Sequence, residues 1–229
     1  MKKKTLLLAA ILAILSTNAF PKSKLVKNLK KNKAQTLIIY GTSISSMAPY
    51  GRMWVEEIGK DLKKKYGNKI TLFNAGQSGQ NSRWALENLQ DSVLVRKPDA
   101  IVIDFATNDA VLRFDISQEE CKSNTWKLVN RILEVNPNCE IYLHTPCGYP
   151  LGEGAVKRPK LKEYNQIYKT ISQEKKLVWI DESELFAKMA KEKGIPELQL
   201  FVGDGVHPTQ RGALEILYPN VLRAIIKGN

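Results

Sequence analysis

From Thr36 onward the chain repeats one pattern: a short, nearly continuous apolar run, a longer amphipathic stretch, then another apolar run. Runs such as Ile101-Val102-Ile103 and Val178-Trp179-Ile180 suit strands covered on both faces, and parallel strands need crossover helices of a dozen residues or so. The spacing therefore predicts an α/β fold with five strands, at residues 36–40, 70–74, 100–105, 140–145 and 177–181. Helices are expected at 52–65, 83–95, 118–135, 161–174, 184–193 and 208–227, with Gly67, Pro98 and Pro137 marking the returns. A sheet of this kind holds ligands at the carboxyl ends of its strands. The polar, glycine-containing segments 41–45, 75–79 and 106–109 all fall there.

The residues before this pattern read as an address. Lys2, Lys3 and Lys4 precede an apolar run over 6–15, and Ser16-Thr17-Asn18-Ala19 supplies small residues, so a signal peptide over 1–19 with cleavage after Ala19 is expected. Ten apolar residues fall short of the roughly 20 that a spanning helix needs. No cysteine follows the run, which argues against a lipid anchor and for a secreted or periplasmic destination. Cleavage removes three lysines and no acids, lowering the net charge from +12 to +9. Six of those nine charges are Lys22, Lys24, Lys27, Lys30, Lys31 and Lys33, so residues 20–35 read as a basic, flexible leader and 36–229 as one nearly neutral domain. Nucleic-acid binding needs basic residues and aromatics clustered on a folded face, and neither is evident.

With 43% apolar and 25% charged residues, the composition is that of one ordinary globular domain. Two histidines, His144 and His207, leave little material for a metal centre, and no metal or cofactor is expected. His144 lies in an apolar strand and reads as a core or rim residue. Three cysteines cannot all pair; Cys139 and Cys147 sit at opposite ends of one strand, about 25 Å apart if extended. Three free or buried thiols are expected.

Asp204-Gly205-Val206-His207-Pro208 places a carboxylate three residues before a histidine. That spacing allows the carboxylate to hold Nδ1–H and leave Nε2 to take a proton from a nucleophile. Alone it reads equally well as a turn opening a helix. Ser43, two residues after Gly41 at the end of the first strand, is the nucleophile candidate and needs such a base; serines here also suit a helix cap. Gly79 N–H, the Asn108 amide and Ser43 N–H can supply donors to a developing oxyanion, or serve only as turn residues.

Taken in order, these blocks resemble the SGNH hydrolases, also called GDSL esterases and lipases. Their Gly-Asp-Ser-x-Ser block appears as Gly41-Thr42-Ser43-Ile44-Ser45, and Asn-x-Gly-x-x-Gly as Asn74 to Gly79. The Gly-x-Asn-Asp block appears as Ala106-Thr107-Asn108-Asp109, and Asp-x-x-His-Pro as Asp204 to Pro208. The resemblance implies a three-layer, flavodoxin-like sandwich around a mostly parallel five-stranded sheet. It also implies Ser43 as nucleophile, His207 as base and then acid, Asp204 as its orienting carboxylate, and Ser43 N–H, Gly79 N–H and Asn108 as oxyanion donors. Thr42 replaces an aspartate, which alters the charge beside the serine, and Ala106 replaces a glycine.

No Gly-x-Ser-x-Gly elbow of the α/β-hydrolases occurs, and no phosphate loop. The expected function is an exported serine esterase acting on short acyl (acetyl) esters of carbohydrate, with Tyr50 and Trp84 as aromatic faces for a sugar. Lipase, lysophospholipase or thioesterase activity is the alternative, and a non-catalytic binding module on the same fold a second one.

Overall fold

In the computed structural model, residues 23–228 are described. The expected signal peptide over 1–19, and residues 20–22, lie outside them. The five strands are β1 (Gln35–Gly41), β2 (Ile70–Asn74), β3 (Ala100–Asp104), β4 (Glu140–Thr145) and β5 (Val178–Asp181). All four pairings are parallel, in the spatial order β2-β1-β3-β4-β5. Each expected strand is present within a residue at either end. The sheet interior is buried throughout β3 and over most of β1 and β4, as their continuous apolar runs require.

Helices cover both faces. Tyr50–Tyr66 and Tyr218–Lys227 pack together on one side, and Gln118–Val135 and Leu161–Lys175 on the other. The Gln118–Val135 helix begins where the Ser117 hydroxyl accepts Glu120 N–H, and Glu119 and Glu120 face its positive end. The stretch expected as one helix over 83–95 is broken into Ser82–Glu87, Leu89–Ser92 and a 3-10 turn at Leu94–Arg96. Asn88 ends the first piece by donating its side-chain amide to Trp84 C=O, a local bond that competes with the helical ladder.

The basic leader is corrected by the structure from Ser23 on. Lys24–Lys30 is a helix whose Leu25, Val26 and Leu29 are buried, while Lys24, Lys27 and Lys30 face solvent. Glu140, at the start of β4, accepts bonds from the Ser23 hydroxyl and the N–H groups of Lys24 and Leu25. Six lysines obscured a three-residue apolar stripe, and a carboxylate more than a hundred residues away caps the helix. The folded unit therefore starts before Thr36.

The chain enters at β1, steps outward to β2, then crosses back to β3 on the other side of β1. That reversal opens a crevice between the carboxyl ends of β1 and β3. A second, smaller apolar cluster of Phe186, Ala190, Leu198, Phe201 and Val202 sits apart from the main core and underlies the segment leading to Asp204. Among the described residues no helix is long and apolar enough to cross a membrane.

Candidate active site

The first block is shaped by what touches it. A Cβ on Gly41 would lie 2.3 Å from Asp104 Oδ2, so only glycine lets β1 pass the carboxylate at the end of β3. Thr42 follows, donating both its N–H (3.0 Å) and its hydroxyl (2.9 Å) to Asp104 Oδ1. Thr42 also caps the short helix Ser43–Ser46. From the sequence alone, Thr42 alters the charge beside the serine. The structure returns a carboxylate to that place from the neighbouring strand.

The second and third blocks lock onto the first. Ala75 N–H and Gln77 N–H donate to Ile39 and Gly41 C=O, and Asn74 donates its amide to Ser45 C=O. Asn108 donates to Gln80 C=O at 2.7 Å, and Asp109 accepts Ser82 N–H at 2.8 Å. Gly79 is thus held from both sides, and its N–H, like that of Ser43, has no acceptor among the described residues. Ala106, where the family has glycine, is buried.

The last block reaches the same crevice. Gly205, at φ +75°, has its Cα position against Tyr149 C=O, where a Cβ would come within 2.1 Å; the turn needs glycine on both grounds. The turn brings His207 Nε2 to 2.8 Å from Ser43 Oγ and His207 Nδ1 to 2.8 Å from Asp204 Oδ2. Asp204 Oδ1 accepts the N–H groups of Val206 and His207. Burial pushes the Asp204 carboxyl up, but the bonds from His207 and Val206 outweigh it and hold the group well below the usual carboxylate range. An ionised Asp204 accepts Nδ1–H, so Nε2 is the nitrogen that faces the serine hydroxyl as acceptor.

A cavity of about 520 Å³ opens onto these groups, lined by Ser43, Gly79, Asn108, Asp204 and His207 together with Met47, Phe114, Arg113 and Arg158. All five sequence-derived chemical candidates meet there. The two aromatic candidates do not: Trp84 packs inward with ring contacts to Tyr40 and Phe105, and Tyr50 is exposed at a helix start outside the cavity lining. Trp84 lies on a helix whose inward face is core, so its aromatic bulk serves packing. Another cleft, of about 840 Å³ beside β2, holds none of the five.

Sequence reasoning missed Asp104 and Arg158, which lie outside the four blocks. Arg158 donates from Nε to Thr107 C=O at 2.9 Å and from Nη2 to Asn108 Oδ1 at 3.4 Å, turning the NH2 end of that amide away from itself. His144 is fully buried, as a core residue should be, with Nε2 2.6 Å from Glu182 Oε2. Burial drives His144 down, yet Glu182 and Asp104 together raise it. Cys121, Cys139 and Cys147 are free and buried, as expected, and burial pushes the Cys147 thiol up to about 12. Among the described residues no cluster of three metal-ligating side chains occurs.

The parallel sheet, the switch-point crevice and the Ser-His-Asp chain define the class of the SGNH fold. The chain belongs to the GDSL-like lipase/acylhydrolase family, which it matches over residues 38–214. This is a family of ester hydrolases. A GDSL esterase/lipase of Arabidopsis thaliana is 29% identical over 119 residues, and the match spans 48% of each chain. The chain thus spans about half the length of that relative. Among solved structures, the lipase/acylhydrolase of Enterococcus faecalis matches with a TM-score of 0.70 and 24% identity, covering 85% of this chain and 97% of the other. An acetylxylan esterase from Geobacillus stearothermophilus matches with a TM-score of 0.68 and 24% identity, over 84% and 94%.

Proposed function

We propose that this protein is an exported serine esterase that hydrolyses carboxylic esters through an acyl-enzyme, and that its natural substrates are short acyl esters of carbohydrate. The observation that carries the chemistry is the unbroken chain from Ser43 Oγ through His207 to Asp204, opening onto three convergent donors. Ser43 attacks the ester carbonyl while Nε2 of His207 takes its proton. The tetrahedral oxyanion is received by the N–H groups of Ser43 and Gly79 and the Asn108 amide. His207 then returns the proton to the departing alcohol oxygen as the C–O bond breaks. Water, deprotonated by the same Nε2, attacks the acyl-serine, and His207 returns that proton to Ser43 Oγ as the acyl C–O bond breaks and the acid leaves. Asp204 keeps the imidazole oriented and stabilises it while it is charged.

The acyl preference rests on the cavity. Its lining mixes charged and polar groups with a few apolar side chains and forms no long apolar channel, which suits a small acyl group and a polar alcohol. An acetylxylan esterase among the structural neighbours fits the same reading. Export rests on the sequence of residues 1–19. The test uses mature protein, a fluorophosphonate probe and p-nitrophenyl esters from acetate to palmitate. Labelling lost in Ser43→Ala, with rates falling steeply beyond about four carbons, is the expected result. A preference for about eight carbons or more overturns the carbohydrate-ester reading in favour of a lipase, and absent labelling of folded protein overturns the esterase in favour of a binding module.

A further inference from the structure

The charges around the Ser43 cavity do not balance. Five charged side chains besides His207 line it: Arg113, Glu153, Lys157, Arg158 and Asp204. Both oxygens of Asp204 are engaged by His207 and Val206, and Glu153 pairs with Lys157 at 2.6 Å. The two arginines remain. Among the described residues, neither forms a salt bridge with a carboxylate. Arg113 lies in the turn Leu112–Phe114 with its guanidinium 4.8 Å from the Phe114 ring, and Arg158 is partly buried against Thr107 and Asn108. Burial holds Arg158 below its ordinary value and the like charge of Arg113 adds to this, against the attraction of Asp204. Two guanidinium groups that repel each other beside Ser43, with both acids of the cavity lining already engaged, make a receptor for an anion.

We infer that the alcohol part of the substrate carries a negative group, a carboxylate or a phosphate, that Arg113 and Arg158 receive while the ester lies against Ser43. This rests on the esterase reading above, and narrows its substrate class from carbohydrate esters to acidic ones. The acyl part is short, so the alcohol part is what extends along the cavity to the arginines. Arg158 has a second task, since its bond to Asn108 Oδ1 fixes which end of that amide meets the oxyanion. Arg113 has no bond to the oxyanion donors and acts on the charged group alone.

Matched acetate esters test this: 4-acetoxybenzoate and 4-acetoxyphenyl phosphate against the neutral methyl 4-acetoxybenzoate. The readout is the ratio of kcat/KM for anion over neutral ester within each protein, relative to the same ratio for Arg113→Ala, so that folding losses and leaving-group differences cancel. The ratio is expected to fall by about 10-fold in Arg113→Ala, a loss of about 1.4 kcal/mol of discrimination. Salt is expected to lower it in the wild type and to lower it less steeply in the variant, where Arg158 alone remains. The anion with the larger fall identifies the group as carboxylate or phosphate. A ratio that stays within about twofold for both anions overturns the inference. If no ester turns over, the esterase reading fails separately, and calorimetry on Ser43→Ala decides the anion site. Benzoate and phenyl phosphate that bind no better than benzamide overturn it, and binding of either that is lost in Ser43→Ala/Arg113→Ala supports it.

Discussion

The two halves of the Ser-His-Asp chain are built differently. The serine side rests on the main core, and its supporting groups are sealed: Thr42, Asp104 and Asp109 are each 1% exposed and Asn108 5%. The base side rests on the small cluster of Phe186, Leu198, Phe201 and Val202, with the side chains of His207 and Asp204 33% and 55% exposed. Their carboxyls respond in opposite directions. Burial pushes Asp104 and Asp109 up to about 6, in each case against hydrogen bonds that favour the charge. Asp204, better bonded and wetter, is held low. A carboxyl that only braces the fold can tolerate partial protonation, whereas one that must stabilise an imidazolium has to stay charged throughout the working range. In the proposed mechanism the buried groups fix the position of Ser43, while of the exposed pair His207 moves the proton and Asp204 orients the imidazole.

The strongest way to break this comparison is to show that the halves do not act together. Ser43→Ala and His207→Ala are each expected to lower kcat by about 10,000-fold or more, and the double variant by little beyond either alone. Additive losses, measured on folded protein by single-turnover kinetics, contradict a shared proton path.

Next in size is the footing of the base. Phe201→Ala removes a buried ring from a cluster with few other members, at a cost of about 3 to 5 kcal/mol. Activity is expected to be lost at lower urea than the far-UV circular dichroism signal, because the segment carrying Asp204 and His207 opens first. Ile103→Ala, in the centre of β3, is expected to shift both transitions together. Coincident transitions in Phe201→Ala show that the two clusters unfold as one unit.

The smallest effect concerns Asp109. Its folded value lies above its unfolded one, so its contribution to stability is fully present below about pH 4 and is lost as pH rises through about 6. Asp109→Asn cannot ionise and keeps an oxygen for Ser82 N–H. Urea unfolding of the pair from pH 4 to 7 is expected to show the variant gaining on the wild type by roughly 2 kcal/mol. A constant difference across that range means that Asp109 is not the buried acid described. Asp204 has the opposite sign, its contribution being present above about pH 4 and lost on acidification.

The amino-acid sequence by itself determined the alternation of strands and crossovers, the five strands, and the four blocks that hold the chemistry, because continuous apolar runs and turn residues act over a few neighbouring positions. It placed Ser43, Gly79, Asn108, Asp204 and His207 at strand and helix ends, and these are the residues that meet in the crevice. Only the tertiary structure decided what surrounds them. Asp104 became the partner of Thr42 because β3 lies beside β1, and Arg158 became the support of Asn108 across some fifty residues of chain. The leader became a helix because Glu140 caps it and the core accepts Leu25 and Leu29. Trp84 turned inward to Tyr40 and Phe105 for the same reason. Periodicity reports which face of an element is apolar, but the identity of the partner depends on which distant strand or loop the folded chain brings against that face.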